Sequence, residues 1–490
     1  MPKRAPQVLT DNWKAVMVKA VGCLPPPPAS TLLLAEDPSL YVSALETMGY
    51  SVRQSSLDLT KEYIQSPSNT RQGIRQFGID LPEGENANFS VVIVLDLSPQ
   101  IHPLVLFERL TRCTDDSALL LLVGLVDVVP PPRMERWFDF VVAIGLRCGF
   151  VEQALDGIET SRSGASFVRA LRKSAPPRWQ LRHVSPENFE EIAALFHEVF
   201  GHPISRELWE WKYGHGRGNG VMAARQGVSV AHYGGIYRDV LLCGKPDWVF
   251  QICDVMVHPK ERGVMTRQGP FLLTAATSAE IYGPLGFGFP NSRAMLVAEK
   301  MGLYSEVGQM VSVRWEPSPT RVRLRTRVHV VDRESASGRA QIDALWAAMA
   351  QDLKAGVVGL RDWKYVEQRY FRHPHNQYEL LVVTTRLTRK PLGAMVLRRL
   401  DDSSCELLDV IAPLDSLPQV IDQARRMTGM WGLSHLYCWI AKNYAQRFVD
   451  CGGMEEPLNV SIPTSCWTHD ERANVFKDKW WLMSGDTDFR

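Results

Sequence analysis

The chain has no excess of charge of either sign, no paired-cysteine framework and no long apolar run, and each absence removes a class of protein. Its 55 Lys and Arg stand against 54 Asp and Glu, a formal net charge of +1. That balance gives no electrostatic footprint for a nucleic acid or a membrane surface, so neither is expected as a partner. The nine cysteines are scattered and never form Cys-x-x-Cys. Their odd number argues against disulfide pairing and for a reducing compartment, and no metal site is expected. The longest apolar run, residues 118–129, is interrupted by Asp127 and is too short to cross a bilayer. Met1-Pro2-Lys3-Arg4 is followed by Asp11, Asn12 and Lys14 rather than an apolar segment. No signal peptide is expected, and the cytoplasm is the expected location.

What is present is enough apolar material, 45% of 490 residues, for several buried cores. Proline clusters at Pro25 to Pro28, Pro176-Pro177, and Pro317 with Pro319 punctuate the chain. They predict an adaptor over 1–29, a first α/β unit over 30–173, a second over 179–316 and a third over 320–490. The last two share an internal repeat. Leu208-Trp209-Glu210-Trp211-Lys212-Tyr213 matches Leu360-Arg361-Asp362-Trp363-Lys364-Tyr365, and Ile252-Cys253-Asp254-Val255-Met256-Val257 is echoed by Leu407-Leu408-Asp409-Val410-Ile411-Ala412. Order and spacing agree, which predicts duplication of one fold.

In the first unit a strand from Thr31 to Glu36, a helix from Tyr41 to Met48 and a strand from Ser51 open a β-α-β pattern. Strands at Ser90 to Leu97 and Leu119 to Val126 continue it, and the alternation predicts a doubly wound sheet. Val94-Leu95-Asp96-Leu97-Ser98-Pro99-Gln100-Ile101-His102-Pro103, with Leu110-Thr111-Arg112 and Leu119 to Val123, resembles the later half of a class I S-adenosylmethionine methyltransferase. The resemblance would give Glu36 and Asp58 cofactor hydroxyls to bind. The family's first loop carries glycines so that backbone approaches the cofactor, whereas Ala35-Glu36-Asp37-Pro38-Ser39 has none. S-adenosylmethionine is therefore not expected.

In the second unit Phe250 to Val257 reads as a strand ended by His258-Pro259. Lys260-Glu261-Arg262-Gly263 follows, running through Gln268-Gly269-Pro270 to a helix from Phe271 to Tyr282. Such a loop feeding a helix N-terminus suits an anion, since free N–H groups and the helix dipole converge there. Val257-His258-Pro259 with Arg262-Gly263, then Gly269 three residues before Leu272, resembles the coenzyme A loop of the GNAT acyltransferase superfamily. Asn291, Ala294, Glu299, Lys300, Gly302 and Leu303 resemble that family's terminal pattern. The resemblance implies a pyrophosphate held by Val257, Arg262, Gly263 and Gly269, with Asn291 after the splayed strand that lines the pantetheine. It also implies acetyl-CoA, or another acyl-CoA, as cofactor and a small amine or amino sugar as acceptor.

The tyrosine that protonates the departing thiolate in that family is replaced here by Ala298, and Tyr304 stands nearby as a substitute. Asp254, the one carboxylate within 250–257, is the candidate base, with a structural carboxylate as the bland alternative. His232, on an apolar strand, is a second candidate base or substrate contact. In the third unit Ala412-Pro413-Leu414-Asp415-Ser416-Leu417-Pro418 carries no arginine or glycine to cradle a pyrophosphate. The whole is thus expected to be an α/β protein, an N-terminal doubly wound methyltransferase-like sheet followed by two GNAT-like mixed α/β units, the second degenerate. N-acetyl transfer is the leading expectation. An assembly or regulatory protein built from decayed enzyme domains, or an active methyltransferase-acyltransferase fusion, are the alternatives.

Overall fold

A computed structural model of the chain describes residues 24–35, 39–63, 76–79, 88–95, 102–125, 131–154, 166–262, 269–282, 285–318, 325–400, 402–465 and 472–489. Its contacts resolve into two units, one of Met1–Phe200, Gly220–His232 and Met256–Thr277, the other of Gly201–Asn219, Tyr233–Val255 and Ser278–Arg490. This division passes through the segment 179–316 that the prolines mark off.

The first unit is built on β1 (Ser30–Ala35), β2 (Ser51–Tyr63), β3 (Gln76–Ile79), β4 (Phe89–Val94), β5 (Thr114–Leu125), β6 (Phe150–Gln153) and β7 (Ser166–Lys173), in the order β3-β2-β1-β4-β5-β7-β6. β1 pairs in parallel with β2 and β4, and β4 with β5. β7 runs antiparallel to both β5 and β6, and β3 antiparallel to β2. Leu32 to Ala35, Val91 to Val94 and Leu119 to Leu122 are buried without alternation, as strands covered on both faces must be. The covering helices are α1 (Ser39–Thr47), α2 (Pro103–Cys113) and α3 (Pro131–Arg147). A Cβ at Gly145 of α3 would stand 2.6 Å from the Phe107 ring of α2, so the absent side chain lets these helices close. Glu36 lies outside the described residues, as does the side chain of Asp58. The unit also holds β8 (Gln180–His183), antiparallel to β9 (Gly218–Arg225), and α4 (Phe189–Phe200).

In the second unit lies α5 (Arg206–Tyr213); β10 (Val228–Leu242), β11 (Lys245–Val257) and α6 (Pro270–Tyr282) are each divided between the units, and β12 (Gly286–Phe287), α7 (Ser292–Lys300), β13 (Tyr304–Trp315), β14 (Thr326–Val330), α8 (Ala336–Asp352), β15 (Val357–Gly359) and α9 (Trp363–Val366) follow in the second. After these come β16 (Glu379–Thr385), β17 (Pro391–Arg399), β18 (Ser404–Ile411), α10 (Leu417–Met430), β19 (His435–Ala441), α11 (Lys442–Val449), β20 (Met454–Ser465), α12 (Arg472–Phe476) and β21 (Trp480–Trp481). One sheet has the order β12-β11-β10-β15-β21, the other β14-β16-β17-β18-β19-β13-β20.

The duplication expected from the sequence reappears as topology. β11, α6, parallel β12 and α7 follow one another as β18, α10, parallel β19 and α11 do. The Asp254 and Asp409 echoes fall at corresponding places, on β11 and β18. The strand expected over 286–290 pairs only at Gly286 and Phe287. Near the C-terminus Trp480 to Met483, Asp486 and Thr487 are buried, and Phe489 is exposed.

Candidate active site

The parallel ladder between β11 and β12 has two rungs, Phe250↔Gly286 and Gln251↔Phe287. Gly288 still lies against Ile252, where a Cβ would approach the Ile252 carbonyl to 3.1 Å. Beyond that point the strands part, for the Pro290 carbonyl accepts a hydrogen bond from the Ser461 N–H of β20 at 2.9 Å. β11 meanwhile runs on through Cys253 and Asp254. The opening ends at Asn291, whose side chain accepts from the Ala294 N–H at 2.9 Å and caps α7. Ala298 is buried on that helix.

Asp254 sits on β11 with φ of 48°, a left-handed conformation that costs a non-glycine residue energy and that neighbouring bonds must hold. Lys212 supplies one such bond, its Nζ 2.7 Å from Asp254 Oδ1, and the Tyr213 hydroxyl donates to Oδ2 at 2.7 Å. Lys212 also reaches Asp488 Oδ2 at 2.7 Å, and the Tyr213 hydroxyl lies 3.4 Å from Cys253 Sγ. Burial alone would lower the Lys212 pKa, but the Asp254 and Asp488 charges outweigh it and hold the ammonium above its usual value. Burial, then the Asp254 charge, pushes the Tyr213 phenol and the Cys253 thiol well up. Ligand atoms of Cys253, Asp254 and Asp488 lie within 4.8 Å of one another. They do not fit a metal, because the Lys212 ammonium already bridges the carboxylates and the thiol is held protonated.

A second buried charge cluster surrounds Asp409. Arg361, fully buried, donates to Asp409 Oδ1 at 2.9 Å and Asp486 Oδ2 at 2.6 Å. Tyr370 donates to Asp409 Oδ2 at 3.0 Å, and Arg238 pairs with Asp486 Oδ1 at 3.0 Å. Burial holds Asp409 above the usual carboxylate range despite Arg361, with the Asp486 charge adding to it. The two aspartates of the duplicated strand are therefore each paired with a cation from the repeated six-residue motif, Lys212 on α5 and Arg361 just before α9, and the tail adds Asp488 to one pair and Asp486 to the other.

Tyr304 opens β13, and its hydroxyl makes a short hydrogen bond with that of Tyr233. Burial pushes both phenols up. His232 is buried on β10. Val257 ends β11 and its carbonyl accepts from Arg262 Nε at 3.0 Å. Gly269 leads into α6, its carbonyl accepting from the Leu273 N–H at 3.0 Å. Gly263 and residues 264–268 lie outside the described residues. Val257, Arg262, Gly269 and His232 belong to one unit, Asp254, Asn291 and Tyr304 to the other.

Sequence reasoning missed Lys212, Asp486, Asp488 and Arg361 as partners of the two aspartates. The six-residue repeat supplies one of these cations per copy but at different positions, Lys212 in one and Arg361 in the other, so aligning the copies did not reveal the pairing. The tail's two acids do not repeat, and only the fold brings them in.

Residues 180–268 match the family model described as an acetyltransferase (GNAT) domain. No curated protein sequence matches the chain. Solved structures with a similar fold include a conserved protein of Enterococcus faecalis V583 titled a probable N-acyltransferase, at 11% identity, TM-score 0.46, over 59% of this chain and 72% of that one. A tandem GNAT protein from the clavulanic acid biosynthesis pathway is similar at 11% identity, TM-score 0.40, over 58% and 98%. N-myristoyltransferase of Saccharomyces cerevisiae, solved with myristoyl-CoA, is similar at 10% identity, TM-score 0.42, over 64% and 85%.

Proposed function

We propose that the chain is a coenzyme A dependent N-acyltransferase that takes acetyl-CoA as donor and the amine of a small metabolite or amino sugar as acceptor. The observation that carries this reading is the parting of β11 from β12 after two rungs, on the strand that leads into Arg262 and Gly269. The thioester would lie in that opening. Val257, Arg262, Gly263 and Gly269 would hold the pyrophosphate, where free N–H groups and the start of α6 favour an anion. Asn291 would set the strand end against the pantetheine.

Acyl transfer requires a neutral amine, a polarised thioester carbonyl and a proton for the departing thiolate. Asp254 serves as base once it releases its bond to Lys212 or to Tyr213, while Lys212 stays anchored on Asp488. Tyr304 would be the proton source for the thiolate; burial keeps its phenol protonated at neutral pH but also makes it a weaker acid. His232 would serve as an alternative base or an acceptor contact.

Isothermal titration of acetyl-CoA tests the reading, with Arg262→Glu and Gly269→Asp as controls. Saturable binding by the parent chain alone supports it, and no binding by the parent chain refutes it. Ala298 and the double engagement of Asp254 favour a second reading, a non-catalytic regulatory protein that keeps the fold. Acyl transfer to any member of an amine panel excludes that one. For the first unit, the order β3-β2-β1-β4-β5 supports a doubly wound, methyltransferase-like origin. An unchanged melting temperature with S-adenosylmethionine is the expected result there.

A further inference from the structure

The near-zero net charge of the chain conceals a corner of the second unit where cations gather with no ion pair among the described residues. β14 is an edge strand, and Arg325, Arg327 and His329 alternate on its exposed face. Its ladder to β16, with Arg327 opposite Thr384 and Thr326 opposite Thr385, leads to the turn joining β16 to β17. There the Arg386 N–H donates to the Arg325 carbonyl at 2.8 Å, which sets the turn beside the strand. The turn reads Thr385-Arg386-Leu387-Thr388-Arg389-Lys390 and is closed by Thr385 N–H to the Lys390 carbonyl at 2.9 Å, Lys390 N–H to Thr385 Oγ1 at 3.0 Å and a short Thr385–Thr388 hydroxyl bond. Its shape is thus held internally.

Arg325, Arg327, Arg386, Arg389 and Lys390 are all exposed, and none forms an ion pair among the described residues. Elsewhere in this unit arginines do pair, as Arg333 and Arg372 with Glu367, Arg398 with Glu406 and Arg399 with Glu379. Between the five cations, at the turn, stands Leu387, 94% exposed. Charges on an edge strand do discourage strand addition. They do not explain an apolar side chain held out by an ordered turn that itself carries Arg386, Arg389 and Lys390.

We infer that the β16–β17 turn and the β14 edge form a peripheral docking surface for an anionic lipid headgroup layer, with Leu387 entering the boundary between headgroups and acyl chains. Cations near such a surface each add about fivefold to affinity, and the apolar tip adds to them by burial. A polyanion such as nucleic acid would be bound by the charges but would gain nothing from Leu387, and no aromatic ring stands in the turn to stack on a base. Among the described residues no helix is long and apolar enough to cross a membrane. The inference does not depend on the acyltransferase reading.

Co-sedimentation of the full chain with phosphatidylcholine vesicles, with and without one third phosphatidylglycerol, tests it. Sedimentation is expected only with the anionic vesicles and is expected to weaken as salt rises. Leu387→Ser and the pair Arg386→Glu with Lys390→Glu, all at exposed positions, are expected to melt with the parent and to sediment less. The charge-reversed pair should lose at least about 25-fold, two cations at fivefold each. Equal sedimentation with both vesicle types, none with either, or undiminished binding by Leu387→Ser overturns the inference. So does tight binding of poly(uridylic acid) by parent and Leu387→Ser alike, which would make the surface a general polyanion site.

Discussion

Lys212 shares one ammonium between two carboxylates, 2.7 Å from an oxygen of each, so its charge decides whether the pair is tolerable. Lys212→Met leaves Asp254 and Asp488 facing each other in a buried place, and the expected loss is about 3–5 kcal/mol in urea unfolding at neutral pH. The deficit should shrink as pH falls, because protonating either carboxylate removes the repulsion. A variant whose deficit ignores pH would mean that Lys212 acts through packing alone. His373 offers a second titration, with the opposite cause. Burial first, then the charges of Arg369, His375 and Arg398, depress its pKa from 6.5 to about 3. Its Nδ1 accepts the N–H groups of His375 and Asn376 at 3.2 and 3.0 Å, bonds that a proton on Nδ1 would break. The folded value lies below the unfolded one, so this contribution is complete above pH 6.5 and is lost progressively as pH falls towards about 3. His373→Asn keeps an acceptor without the titration, and its stability between about pH 7 and pH 5 should fall less than the parent's in matched urea curves.

The C-terminal segment works as an element through its backbone as much as through its acids. β21 adds in parallel to β15, with Val357 opposite Trp480. Arg369 binds the carbonyls of Gly485 and Thr487, and Gln251 binds that of Asp486. At Gly485 a Cβ would stand 2.2 Å from the Tyr370 hydroxyl and 3.0 Å from the Leu408 carbonyl. Gly485→Ala must therefore push Tyr370 off Asp409 or lift the tail from β18. The expected cost is about 1–3 kcal/mol by chemical denaturation, and a neutral result would place the tail more loosely than this. Elements of this kind show why the sequence was readable only in part. β1, β4, β5 and β11 declared themselves because buried strands need apolar runs, and the duplicated Asp254 and Asp409 strands declared the repeat. β12 looked longer than its two rungs because Phe289 and Pro290 continue the pattern, while the Pro290 carbonyl bonds to β20. The cations that answer Asp254 and Asp409 lie 42 and 48 positions away in the chain, a distance over which spacing carries no signal, and the tail acids lie farther still.

At the scale of the whole molecule the duplication is unequal, and that inequality is itself testable. β11 leads into a loop with Arg262 and ends at Gly269, whereas β18 leads into Pro413 to Pro418, which offers neither an arginine nor a glycine. Two copies of the fold therefore predict one donor site, and titration with acetyl-CoA should saturate at one equivalent per chain. Ligand present at about 100 times its Kd stabilises the state that binds it by about 2.7 kcal/mol, so the melting temperature should rise with the donor. Gly269→Asp separates binding from folding with a useful asymmetry. Gly269 holds the cap position of α6, where aspartate is among the favoured residues and its charge suits the helix dipole. The unliganded variant should melt no lower than the parent. The same carboxylate stands where a pyrophosphate would bind, so the rise with acetyl-CoA should vanish. A variant that keeps the rise, or a parent that takes up two equivalents, would move the donor site away from the 257–269 segment and give the second copy a cofactor of its own.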